Sequence, residues 1–439
     1  MSIGGAVRPA SSSFTLANGL RVVLAPIPSS PTVSVWVWYR VGSKNEHPGI
    51  TGASHWVEHM LFKGSPRYPR GAIDRAVVEV GGSLNAFTST DFTAYLTTVP
   101  KEHQDVPLSI EADRMTRALF EPREVERERT VIHSEREGNE NWPEFRVSEE
   151  LYALAFTFHP YRWDALGLKE DIVSLSARDL AEYYHRFYGT RNALLVITGE
   201  FDLGAMRERV TRLFARLRSG GDDPTVRVHE LPPRGERRAT LSGPGTTPYL
   251  EIGWRAPSVD DPRNPAVILI DAVLGGETRL FATGAGWGRA REHPSSRLYR
   301  KLVDPGLAVR ATSEWRPRVH PSLFTIQAQA AHGVSLDRIE AAILAETARV
   351  AREGPTAAEV REARVKVRRG AELAYEGATR TAFRLGYFAS LGPPGFEQRL
   401  LRRVLSVTPS EVRTEAARLF RTEGRVVVGY EPTGGAGDG

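Results

Sequence analysis

Apolar and polar positions fall along the chain in an order that predicts its elements. Residues 14–25, FTLANGLRVVLA, place the pair Asn18-Gly19 between two apolar alternations, a hairpin signal. Residues 33–41, VSVWVWYRV, are apolar or aromatic at every position but Ser34 and Arg40. That pattern predicts an inner strand covered on both faces. The segment 51–63, TGASHWVEHMLFK, predicts a helix, with Thr51 or Ser54 as its cap and Gly64 as its end. A helix around 71–80 leads through Gly81-Gly82 into SLNAFTSTDFTAYLTTVP, read as one strand. Helices follow at 103–119, 122–137 and 176–187, and the last precedes the strand NALLVITG. Helices mixed with mostly non-parallel strands indicate an α+β fold.

Residues 216–240 are rich in Gly, Pro, Asp and Arg and predict a linker. The plan then restarts. PYLEIGWRAP at 248–257 resembles the strand VSVWVWYRVG, NPAVILIDAVLGG at 264–276 falls where the HWVEH helix fell, and 355–377 matches the long helix at 122–137. The expectation is two similar tandem domains, 14–215 and 241–428, each a mostly antiparallel sheet packed with helices. The duplication supplies an internal control. Aligning Gly64 with Gly276 sets His55 opposite Val267, Glu58 opposite Ile270 and His59 opposite Asp271. Generic surface positions would stay polar in both halves, yet two of these three turn apolar. The first half is the one that carries chemistry.

Composition narrows that chemistry. The chain has 439 residues, 41% hydrophobic and 25% charged, ordinary for a globular protein. It has no cysteine, so disulfides, thiolate metal sites and cysteine catalysis are excluded, and any metal must sit on nitrogen and oxygen. The net charge of +5 is small and its signs are interspersed, unlike the basic stripe of a nucleic-acid surface. No stretch approaches the apolar length of a membrane span. The N-terminal MSIGGAVRPASSSF has no apolar core of a secretory signal, so the expected location is cytoplasmic.

HWVEH sets His55 and His59 four residues apart, on one face of a helix with about 3.6 residues per turn. That spacing can place two nitrogens on one metal. Glu58 borders the same face and can take a proton from an attacking water without being a ligand. This is the inverted form of HExxH. Catalytic zinc usually has three protein ligands, so a third must come from another element. Glu135, in the charged helix after Pro122-Arg123, is the leading candidate. Glu128 lies two turns before it on nearly the same side, where it could hold His55, His59 or the water. His133 competes as a ligand but points away from Glu135 on a helix. The alternative is a chance pattern on a helix surface.

The strings GASHWVEHMLFKGS, GGSLNAFTSTDFTAYL, EADRM, VERERTVIHSERE, HPYRWDALGLKEDI and YYHRFYGTRNALLVITG resemble the pitrilysin or inverzincin (M16) peptidases. The resemblance is to the short-chain branch related to the mitochondrial processing peptidase and runs from about residue 14 to 428. It implies one zinc per chain on His55, His59 and Glu135, with Glu58 as base and Glu128 as supporting carboxylate. It implies a clamshell of two chains whose chamber admits short or unfolded polypeptides. It also implies that Asn85, Ala86 and Phe87 lie on an edge strand that a peptide substrate joins through its main chain.

One stretch departs from the family. Members that act alone carry an arginine and a tyrosine in the second domain, in a pattern like LREKRGLAY. Here the stretch reads KLVDPGLAV, with Val303 and Val309 at those places, and neither side chain donates a hydrogen bond. Arg297 belongs to the neighbouring SRL and is expected to be structural, while Arg310 is the substitute donor if the chain pairs with itself. The resemblance therefore implies a zinc-bearing subunit whose homologous partner supplies the Arg/Tyr pair. The stretch 277–296 replaces a short glycine-rich loop and is a candidate for lining the cleft or the partner contact.

Overall fold

A computed structural model describes residues 10–276 and 293–434. Most of the 277–296 stretch, and with it the cleft-lining expectation, lies outside the described residues. The first half runs β1 (Ser12–Thr15), β2 (Arg21–Pro26), β3 (Thr32–Tyr39), α1 (Ala53–Met60), α2 (Ala72–Val78), β4 (Ser83–Thr88), β5 (Thr93–Pro100), α3 (Asp105–Arg117), α4 (Pro122–Glu140), α5 (Pro143–Ala155), α6 (Lys169–Ser174), α7 (Ala177–Phe187), β6 (Ala193–Gly199) and α8 (Leu203–Phe214). No helix or strand falls between Phe214 and Arg237. The second half runs β7 (Arg237–Gly243), β8 (Tyr249–Ala256), α9 (Asn264–Leu274), β9 (Ala308–Trp315), β10 (Ser322–Ala330), α10 (Leu336–Glu353), α11 (Ala357–Leu373), α12 (Gly377–Leu391), α13 (Phe396–Ser406), α14 (Pro409–Leu419) and β11 (Arg425–Pro432).

The two sheets share one topology. The first has the order β1-β2-β6-β3-β5-β4 and the second β7-β11-β8-β10-β9. Removing β1 superimposes the orders, with β3 on β8 and α1 on α9. Each sheet is antiparallel except for one parallel pair, β2 with β6 and β7 with β11, so both are mixed α+β sheets.

β3 is central and buried on both faces, as its unbroken apolar run requires. Val33, Val35, Val37 and Tyr39 pack with Trp56 of α1, and Trp36 and Trp38 point to the other face. The sequence 83–100, read as one strand, is instead the β4–β5 hairpin, register Ser83↔Thr98 to Thr88↔Thr93. The polar run Ser89-Thr90-Asp91 turns the chain: Ser89 N donates to Phe92 O at 2.8 Å, and the Ser89 hydroxyl receives Asp91 N–H at 3.3 Å.

The halves exchange helices. α5, from the first repeat, packs on β8 and β11 of the second sheet through Val147 and Leu151. Its counterpart α12 packs on β3 and β6 of the first sheet, where the Phe383 ring meets Trp36 at 5.8 Å and Trp38 at 5.6 Å. Gly386 permits this approach, since a Cβ there would lie 2.0 Å from Trp38 Nε1. Nothing in an amphipathic stripe says which of two similar sheets it will cover, so the exchange is invisible before folding. Among the described residues no helix is long and apolar enough to cross a membrane.

Candidate metal centre

α1 starts without the expected cap. Gly52 is its left-handed N-cap (φ +87), and neither Thr51 nor Ser54 caps it by its side chain. Glu46 does that work from upstream, with Oε2 accepting Gly52 N–H and Oε1 accepting Ser54 N–H, each at 2.8 Å. Negative charge at a helix N-terminus satisfies otherwise unpaired amides and suits the helix dipole. Thr51 is used elsewhere, donating its hydroxyl to Asp171. This fixes the turn that carries His55, Glu58 and His59, all but the last nearly buried.

α4 begins with Pro122 at its first turn and buries Val125, Glu128, Ile132 and Arg136 along one stripe. That stripe sets Glu128 and Glu135 against α1. His55 Nε2 and His59 Nε2 are 3.2 Å apart, and Glu135 Oε2 lies 3.7 Å from each. These three are the one group of potential metal ligands whose atoms converge among the described residues. Tetrahedral zinc with bonds of about 2.0–2.1 Å sets its ligand atoms about 3.3–3.4 Å apart. The observed edges match that frame, so the residues present fit one zinc ion per chain. His133 is not in the group: it pairs with Glu137 at 3.5 Å.

The surroundings prepare these groups. Burial, and next the charge of His59, push His55 down to about 3, which keeps its imidazole neutral and its lone pair available at neutral pH. Burial pushes Glu58 up to about 7, against the opposing hydrogen bond that Thr88 Oγ1 donates to Oε2 at 2.6 Å. A carboxylate poised near neutrality suits proton transfer in both directions. Burial alone would lower His59, but its hydrogen bond to Glu128 and the charges of Glu58, Glu128 and Glu135 together raise it. Glu128 therefore supports His59, not His55: Oε1 is 2.8 Å from His59 Nδ1. Its other oxygen takes Lys63 Nζ at 2.5 Å. Burial works to raise Glu128, and the bonds from His59 and Lys63 outweigh it, holding the carboxyl below its usual range.

Asn85, Ala86 and Phe87 lie on β4, the outer strand of its sheet. Ala86 and Phe87 are buried, Phe87 against Trp36 and Trp38, so their side chains serve the core. What this strand offers outward is main chain, with the Asn85 carboxamide already accepting Ala86 N–H at 2.8 Å. Thr88, Lys63 and Glu46 hold the site's side chains and its helix, and sequence reasoning missed these contacts. Thr88 and Lys63 sit inside the matched strings, yet their partners are fixed only by folding. In the second half, α9 is buried along its whole length, and Asp271 accepts the Ser313 hydroxyl at 2.7 Å. Arg297 is structural, bridging Glu359 at 2.7 Å and Glu346 at 3.1 Å. Val303 packs on the core, and Val309 is exposed at the start of β9.

A duplicated α+β fold with a His, His, carboxylate centre in one repeat and a plain core in the other defines the inverted-motif class of zinc proteins. The chain belongs to peptidase family M16: the profile described as insulinase (peptidase family M16) matches residues 21–167, and that of the peptidase M16 inactive domain matches residues 174–366. An uncharacterized zinc protease of Bacillus subtilis is 28% identical over 270 residues, 61% of this chain and 65% of that protein. The matched region thus spans less than two thirds of that relative. The mitochondrial-processing peptidase subunit beta of Blastocladiella emersonii is 26% identical over 441 residues, 97% of this chain and 89% of the relative. The crystal structure of a protease from Helicobacter pylori has the same fold, with a TM-score of 0.90 at 24% identity over 97% of this chain and 100% of that one.

Proposed function

We propose that the chain is a zinc-dependent endopeptidase acting on short or unfolded polypeptides. The observation that carries the reading is the convergence of His55, His59 and Glu135 at ligand spacing beside a buried Glu58. When bound, zinc would polarise the scissile carbonyl and stabilise the charge that develops on its oxygen. His55, His59 and Glu135 would hold it. Glu58 keeps Oε2 on Thr88 and has Oε1 left to take a proton from the attacking water and pass it to the leaving amine. The edge of β4, at Asn85 to Phe87, takes the peptide main chain as an added strand.

The same reading makes this chain one half of a clamshell, with a homologous subunit bringing the arginine and tyrosine that Val303 and Val309 replace. A relative named as a subunit supports it. A cytoplasmic location goes with this reading and is tested by fractionation. The experiment for the activity is cleavage of unstructured peptides by the purified, zinc-loaded chain, with E58Q as control. Cleavage lost in E58Q supports the peptidase and a self-sufficient homodimer. Cleavage that appears only with a homologous subunit supports the two-chain enzyme. Cleavage that survives in E58Q overturns the assignment of the base.

A further inference from the structure

The two histidines of the centre are anchored unequally. His59 has Glu128 on its second ring nitrogen, whereas His55 Nδ1 is buried with no hydrogen-bond partner among the described residues. The orientation of the His59 ring thus depends on Glu128. A glutamate carboxylate turns freely about its last torsion, which has no sharp staggered wells, so one hydrogen bond does not fix its plane. Glu128 has two bonds on opposite oxygens, Oε1 to His59 and Oε2 to Lys63. Lys63 lies in the turn just past α1, where its own N–H donates to Met60 O at 2.9 Å. The side chain of Glu128 is 7% exposed and that of Lys63 28%. The pair is therefore not a solvated surface bridge of negligible worth. Without Lys63, one oxygen of a buried carboxylate would lose its donor.

We propose that Lys63 is a positioning residue of the metal centre: it locks the plane of Glu128, and through Glu128 the tautomer and ring angle of His59, so that Nε2 faces the ligand position. Lys63 touches neither metal nor substrate. The inference rests on the zinc reading above. Partners of ligating histidines are worth about 10–100-fold in metal affinity. Lys63 acts one bond further out, so its loss is expected to sit at the lower end of that range.

The test is zinc affinity of the full apo chain, read by competition with a chromophoric chelator, for wild type, K63M, K63R, E128Q and K63M/E128Q. Thermal melts of the apo proteins run alongside. The expected result is about tenfold weaker zinc binding in K63M and wild-type affinity, to within about twofold, in K63R. K63M/E128Q binds no more weakly than E128Q alone, because Lys63 acts only through Glu128. If K63M melts below the assay temperature, K63Q replaces it under the same expectation. Unchanged affinity in K63M overturns the proposal, and so does a double variant weaker than E128Q by the full K63M factor. A wild-type chain that takes up no zinc defeats the zinc reading itself, whereas wild type that binds with K63M unchanged defeats only the role of Lys63.

Discussion

Phe383→Ala is the sharpest probe of the helix exchange. Phe383 belongs to α12 of the second repeat but is 4% exposed inside the first repeat's aromatic core. Its ring lies 5.8 Å from Trp36, 5.6 Å from Trp38, 6.2 Å from Phe87 and 5.7 Å from Tyr387. Buried Phe→Ala changes cost about 3–5 kcal/mol. Aromatic pairs add about 0.5–1.5 kcal/mol beyond area burial, which places this site at the upper end, about 4–5 kcal/mol. Phe87 is on β4, so the loss also loosens the strand beside Glu58. Urea unfolding should be followed by near-UV circular dichroism and by release of bound zinc from the first repeat. Both transitions are expected to move together to lower urea. A loss below about 1 kcal/mol, or zinc release that stays at the wild-type midpoint, would refute the shared core.

Three further outcomes follow from the same contacts. Removing the hydroxyl that Thr88 gives to Glu58 (T88V) should lower kcat by about 10–100-fold with KM and zinc affinity unchanged, while T88S keeps most activity; steady-state kinetics on one peptide decides it. H55A, H59A and E135Q should each abolish stoichiometric zinc by metal analysis, whereas H133A keeps it, because His133 pairs with Glu137 outside the cluster. Burial, against the opposing bond from Gln327, raises Glu251 to about 7, so the ionised form is the disfavoured one in the fold. The stability this carboxyl contributes is full below about pH 4.5 and is lost as pH rises through about 7. E251Q should therefore match wild type near pH 4.5 and exceed it at pH 8 by about 3 kcal/mol, measured by denaturant melts at the two pH values.

Much of this was legible in the chain itself. The spacing of His55, Glu58 and His59 needs only a helix to converge, and the short helix α1 supplies it. The β3 run, apolar without alternation, suits a strand covered on both faces more than a half-exposed one, and it is buried on both. The repeat order predicted from β8, α9 and the long helix α11 holds strand by strand in the two sheets. The misses have physical causes. Threonines and aromatics run across 83–100 and read as one strand, although the polar Ser89-Thr90-Asp91 cluster is a turn signal and the chain folds there into a hairpin. The cap of α1 comes from Glu46, outside the window in which N-caps are sought. Helical phase gives Glu128 a side but does not choose among His55, His59 and the water as its partner. The destinations of α5 and α12 depend on two sheets of similar shape, which local pattern cannot tell apart.

The central claim is that His55, His59 and Glu135 hold one zinc ion. Zinc K-edge absorption of the purified chain tests it most directly. The account predicts one zinc per chain in a shell of nitrogen and oxygen at about 2.0–2.1 Å, with the scattering signature of two imidazoles. Replacing Glu135 by Gln should remove the zinc and with it that shell. A chain without bound zinc, or a shell that E135Q and H59A leave unchanged, would contradict it.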